Sequence, residues 1–152
     1  MPLNAFRLLA FSVVLALTIS GQAQTQLIDS LSGVLEKTQD EKKRALLLAD
    51  ISWEYSDIDM VKGIDYGTRA VKLARKTKDK YLIGRCLQKL AESQRSGGQY
   101  PESLKSLLEA HKLFVELNDL QNISSCLNKS INVACGIKMA FRLLSSFDNF
   151  GK

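Results

Sequence analysis

Few residues in this sequence combine the type and spacing that covalent or metal chemistry needs. The one histidine, His111, lies beside Ala110 and Lys112 with Glu109 nearby, and no serine or cysteine nucleophile pairs with it. Its expected place is an exposed helix surface. Three cysteines, Cys86, Cys126 and Cys135, are too few for a disulfide scaffold and form no paired metal motif. Asp57 and Asp59 are close together, but they sit where a turn is expected and read as helix breakers and caps. The sequence has no phosphate loop, dinucleotide fingerprint or nucleophile elbow. The expectation is a non-enzyme with no cofactor and no metal, whose chemistry is binding.

Two features suit binding. Trp53 is the single tryptophan; it reads either as packing against a preceding helix around Leu31 and Leu35, the favoured reading, or as a ligand-facing aromatic. Residues 69–95 hold Arg69, Lys72, Arg75, Lys76, Lys78, Lys80, Arg85, Lys89 and Arg95 against Asp79 and Glu92, a net +7. Such a run solvates a helix face or forms a patch for acidic peptides and other anions. Nucleic acid is not expected, because the chain reads as exported and the run has only Tyr81 among its bases rather than interleaved aromatics. Two glycosylation-type triplets, Asn122-Ile123-Ser124 and Asn128-Lys129-Ser130, fall on an expected helix and are discounted.

The elements that must position these residues are helices. The chain has 152 residues, 45% apolar and 24% charged, with a net charge of +5, a composition for one modest folded domain. Residues 1–23 form an export leader. Arg7 starts it, Leu8 to Ile19 is a short apolar run, and Gly21 and Ala23 set a small-x-small cut before Gln24. The run is short for a membrane span, so a cleaved leader is preferred to a retained anchor. The exported chain, in the periplasm or outside the cell, then has no transmembrane helix. Beyond it, apolar residues recur at three and four positions: Leu27, Leu31, Val34, Leu35; Leu47, Leu48, Ile51, Tyr55; Leu82, Cys86, Leu87, Leu90, Ala91; and Leu104, Leu107, Leu108, Leu113, Leu117. Breaks fall at Gln39-Asp40, Asp57 to Asp59, Lys78-Asp79, Gly97-Gly98 and Asn118-Asp119. An all-α chain follows.

It also repeats. Ala70 to Leu73 matches Ala110 to Leu113 forty residues on, as do Asp79 with Asp119, Ile83 with Ile123, Cys86-Leu87 with Cys126-Leu127, and Lys89 with Lys129. Lys37 to Asp40 matches Lys76 to Asp79 at thirty-nine. A unit of about 40 residues holds two helices, and such hairpins stack to bury their apolar faces. At that spacing Cys86 and Cys126 stand about 10 Å apart, too far for a disulfide, and read as core residues.

The second unit resembles a tetratricopeptide repeat (TPR). Leu87, Leu90 and Ala91 match its first helix, with Gln94 in place of the usual aromatic. Ser103, Leu107 and Ala110 match its second, after Gly98 at the turn and Pro101 in the first helical turn. In the first unit Leu48, Ile51, Ser52 and Tyr55, then Gly63, Gly67 and Ala70, fit the same pattern. The third begins with Ile123, Cys126 and Leu127 and then loses the pattern. From Gly136 to Phe147 it reads either as an improvised capping helix or as altered sequence after a truncation. The resemblance implies an antiparallel hairpin solenoid of about two and a half repeats. Its divisions are the leader (1–23), a first helix (24–40), repeats at 41–79 and 80–119, and a partial third at 120–152. The layout is similar to the exported front end of Bacteroidetes-type signalling proteins.

The resemblance implies a non-catalytic protein-interaction or sensory module with a peptide or protein partner, and leaves a homo-oligomer open. The alternatives are a fragment of a longer signalling protein and a basic binder of acidic partners. Spacing puts Asp50, Glu54, Lys89, Ser93, Asn128 and Asn132 on the concave face.

Overall fold

In a computed structural model, residues 25–150 are described, with side chains through residue 139. The expected leader at residues 1–23 lies outside the described residues. The chain is all-α, with no strand among the described residues. α1 covers residues 25–37, α2 Glu41–Tyr55, α3 Met60–Thr77, α4 Lys80–Ser96, α5 Tyr100–Glu116 and α6 Leu120–Phe150. None of these is long and apolar enough to cross a membrane.

Helices change over at the breaks marked by sequence. The Asp40 carboxylate accepts from the Lys42 and Lys43 amides, Asp59 from Lys62, and Asp79 from Leu82. Asp119 accepts from Asn122 at 3.0 Å. Each satisfies an otherwise orphaned N–H of a first turn. Lys78, Gly98 and Asn118 reverse the chain before α4, α5 and α6 with left-handed φ of 57°, 73° and 55°.

From α2 to α6, consecutive helices pack as antiparallel hairpins, and α2 also packs on α4. The arrangement is a hairpin solenoid. Small residues bring the helices close. Ser52, Gly63, Gly67, Ala70, Ala91, Ser103 and Ala110 are buried together with Leu48, Ile51, Leu87, Leu90 and Leu107, while Tyr55 is half-buried and stacks on Tyr66. In the first hairpin Ser52 Oγ donates to the Gly63 carbonyl at 2.7 Å; in the second, Ser103 Oγ donates to the Ala91 carbonyl at 2.7 Å. Gln94, in place of the aromatic, accepts from Ser106 Oγ at 2.9 Å.

Two expectations need correction. In α1 the buried residue is Ile28, with Leu31 and Leu35 half-buried, whereas Leu27 and Val34 are exposed. The stripe is rotated so that residues 28, 31 and 35 form the inward line, with Leu35 packed on the core. In α5 the buried line is Ser103, Leu107, Ala110 and Phe114, leaving Leu108 and Leu117 exposed. Past Leu127, where the repeat pattern is lost, α6 runs on as one helix of 31 residues that includes the segment 136–147. No glycine-containing turn or capping aspartate interrupts it there, and Gly136 stays helical against the Tyr100 ring.

Candidate functional site

The first helices of successive hairpins share one face, and their side chains meet at Trp53. Trp53 on α2 is 37% exposed, not tucked beneath α1 as the favoured reading held. The Lys89 ammonium of α4 lies 4.5 Å from its ring centroid and the Lys129 ammonium of α6 lies 4.9 Å away. Both distances suit cation–π attraction. Around them Trp53, Arg85, Gln88, Lys89, Ser125 and Lys129 line a hollow of about 190 Å³.

Carboxylates hold the lysines over the indole. Lys89 pairs with Asp50 at 3.5 Å, and Lys129 with Glu92 at 3.1 Å. Burial pushes the Glu92 carboxyl up, but the Arg95 and Lys129 contacts outweigh it and its net shift is downward. Glu92 therefore stays ionised. Gln88 ties α4 to α6 from below, donating to Cys126 Sγ at 3.2 Å and to the Asn122 carbonyl at 3.4 Å. Arg85 makes no ion pair within 4.0 Å among the described residues. The hollow thus offers one uncommitted guanidinium and two shared ammonium groups beside an exposed aromatic surface.

Of the six residues expected on this face, Asp50 and Lys89 belong to the cluster. Glu54 is half-buried on α2. Asn128 and Asn132 are exposed on α6 but outside the hollow, where Ser125 and Lys129 take their place. Ser93 is not on the face at all: it is fully buried, 3.0 Å from Ser52 Oγ and donating to the Ser52 carbonyl at 2.9 Å. Helix α4 is wrapped by α2, α3 and α5, so its open line runs Arg85, Lys89, Glu92 and turns inward at Ser93. Lys129 was signalled by its match to Lys89 at forty residues; extrapolating at thirty-nine lands one residue short.

Five of the nine bases in the run are paired with carboxylates. Arg69 pairs with Asp65, Arg75 with Glu109, Lys80 with Glu116, Lys89 with Asp50 and Arg95 with Glu92. Lys72 and Lys76 are exposed on α3, and Lys78 is in the following turn. Two of the five partners, Glu109 and Glu116, lie beyond the run, and two more, Asp50 and Asp65, lie before it. Counting charge over residues 69–95 therefore overstates the patch.

Cys86 and Cys126 are fully buried single thiols, as expected, and Cys135 is exposed. Burial pushes the Cys86 thiol up to about 12. His111 is half-buried rather than exposed. Among the described residues, no three His, Cys, Asp or Glu side chains gather as a metal site requires. The chain matches no protein-family model, no curated protein and no solved structure.

Proposed function

We propose that the chain is an exported, non-catalytic interaction module of the tetratricopeptide kind, which holds an acidic peptide segment of a protein partner across α2, α4 and α6. The observation that carries this reading is the Trp53 hollow, where Arg85, Lys89 and Lys129 converge beside an exposed indole. A carboxylate entering there gains Arg85 and competes with Asp50 and Glu92 for the lysines. The indole meanwhile offers flat apolar contact to the neighbouring peptide. The tetratricopeptide assignment rests on the packing residues of the two hairpins. Export rests on the leader pattern at residues 1–23, and a signalling role on the layout.

Trp53 is the only tryptophan, so intrinsic fluorescence reports on this site alone. Titration with a glutamate-rich peptide at low salt should change the emission and saturate. Affinity should fall about tenfold or more between low and physiological ionic strength, as screening weakens the charge contacts. Arg85→Ala should weaken binding by about fivefold to tenfold, the loss of one charge-assisted contact. An emission that does not respond, or binding that Arg85→Ala leaves intact, sinks this reading. Mass spectrometry of the secreted protein should find Gln24 at its N-terminus.

A further inference from the structure

The two hairpins differ at one pair of equivalent places. Tyr55 on α2 corresponds to Gln94 on α4, in the register that matches Leu48 and Ile51 with Leu87 and Leu90. Tyr66 on α3 corresponds to Ser106 on α5, in the register that matches Gly63 and Ala70 with Ser103 and Ala110. In the first hairpin the two tyrosine rings stack with centroids 5.6 Å apart. In the second, Ser106 Oγ donates to Gln94 Oε1 at 2.9 Å. Two rings have given way to two short polar side chains. Beside that pair opens a hollow of about 490 Å³, lined by Thr68, Val71, Lys72 and Arg75 of α3 and by Leu90 and Gln94 of α4. Its size is that of a small-molecule site. It shares no lining residue with the Trp53 hollow.

We propose that this hollow binds a small aromatic carboxylate. Its apolar lining is Val71 and Leu90, both buried. Its charged lining is Lys72 and Arg75, both cations. Lys72 has no carboxylate within 4.0 Å among the described residues. Arg75 Nη2 donates to both oxygens of Glu109 on α5, at 2.7 and 2.9 Å. That contact fixes the guanidinium and takes up the Glu109 charge, and the other guanidinium N–H groups make no hydrogen bond among the described residues. The Gln94 carbonyl oxygen is occupied by Ser106, so its amide N–H groups are what it offers a ligand. Thr68 spends its hydroxyl hydrogen on the Ile64 carbonyl. Donors thus dominate the polar lining, and they suit an anionic head. The body that fits behind the head is a flat ring system, in the space that the Tyr55 and Tyr66 rings hold in the first hairpin. A cationic or doubly neutral ligand gains nothing from Lys72. This site stands on other residues than the acidic-peptide reading and does not depend on it.

The probe is naphthylacetate, two fused rings carrying one carboxylate. In amide NMR spectra of the nitrogen-labelled full chain, it should shift the resonances of Val71, Lys72, Leu90 and Gln94 and saturate with a Kd of about 0.1–1 mM. The neutral naphthylacetamide should bind about fivefold or more weakly, because it lacks the charge that Lys72 and Arg75 receive. Lys72→Ala, at an exposed helical position, should weaken naphthylacetate by a similar about fivefold factor. Gln94→Tyr returns a ring to the place Tyr55 fills in the first hairpin and should abolish binding with far-UV circular dichroism unchanged. If that variant loses its fold, the neutral probe and Lys72→Ala still decide the matter. The proposal is overturned if no resonance moves up to about 5 mM naphthylacetate. It is equally overturned by equal affinity for the acid and the amide, or by binding that persists in a folded Gln94→Tyr chain. Shifts centred on the Trp53 indole N–H and Arg85 would put the anion in the Trp53 hollow, which overturns this site and leaves the acidic-peptide reading standing.

Discussion

At the scale of single residues, space decides what a substitution does. A Cβ on Gly84 would meet the Phe114 ring at 2.6 Å, and one on Gly67 would meet Ser52 Oγ at 2.7 Å and the Leu90 backbone at 3.1 Å. Phe114 is fully buried and has nowhere to go. Gly84→Ala should therefore lower stability by about 1–3 kcal/mol, an overpacking effect, read as a fall in the urea midpoint. Gly33 is the control. It is helical with nothing within 4 Å of a built Cβ, so Gly33→Ala should stabilise by about 0.5–1 kcal/mol in the same measurement. The thiols differ for the same reason. With Cys86 pushed up to about 12 and Cys126 raised, both by burial, a thiol reagent at mildly alkaline pH should label only Cys135 quickly in the native protein. Denaturation should release the other two.

At the scale of the element, helix starts govern the response to pH. Backbone N–H bonds lower the Asp40 and Asp59 carboxyls, the Lys42 side chain lowers Asp79, and Asn122 lowers Asp119. A depressed folded pKa adds stability that is fully present above the ordinary aspartate range and is lost as pH falls through the depressed value. The melting temperature should therefore hold from neutral pH down to the usual carboxylate range and drop below it. Asp59→Asn and Asp119→Asn, which keep a capping oxygen, should flatten that drop. Lys78 holds a left-handed φ of 57° where Gly98 serves the next turn. Lys78→Gly should thus add up to about 1 kcal/mol. These starts and stops were legible in sequence because a cap is a local event, set by two or three neighbouring residues. The packing positions were legible too, since close helix approach admits only small side chains at fixed intervals. The Trp53 cluster was not. Its members lie about 36 to 40 residues apart, and which side of α4 stays open depends on three other helices. Ser93 shows this directly: helical spacing alone groups it with Lys89, and the wrapping of α4 turns it inward.

At the scale of the whole molecule, helix packing is between neighbours in the stack. α2 meets α3 and α4, α4 meets α5, and α5 meets α6. Side-chain bonds between helices follow the same rule, linking Lys42 to Asp79, Arg75 to Glu109, Lys80 to Glu116 and Lys129 to Glu92. Loss of one unit should then loosen its neighbours more than distant ones, and hydrogen exchange should show protection greatest in α3 and α4 and falling toward both ends. The same arrangement has a consequence for biosynthesis. A chain emerging from the ribosome at about 5–20 residues per second needs nothing from its own far end to complete the first hairpin. Each hairpin finds its surface already in place as it appears, so the structure grows in the direction of translation.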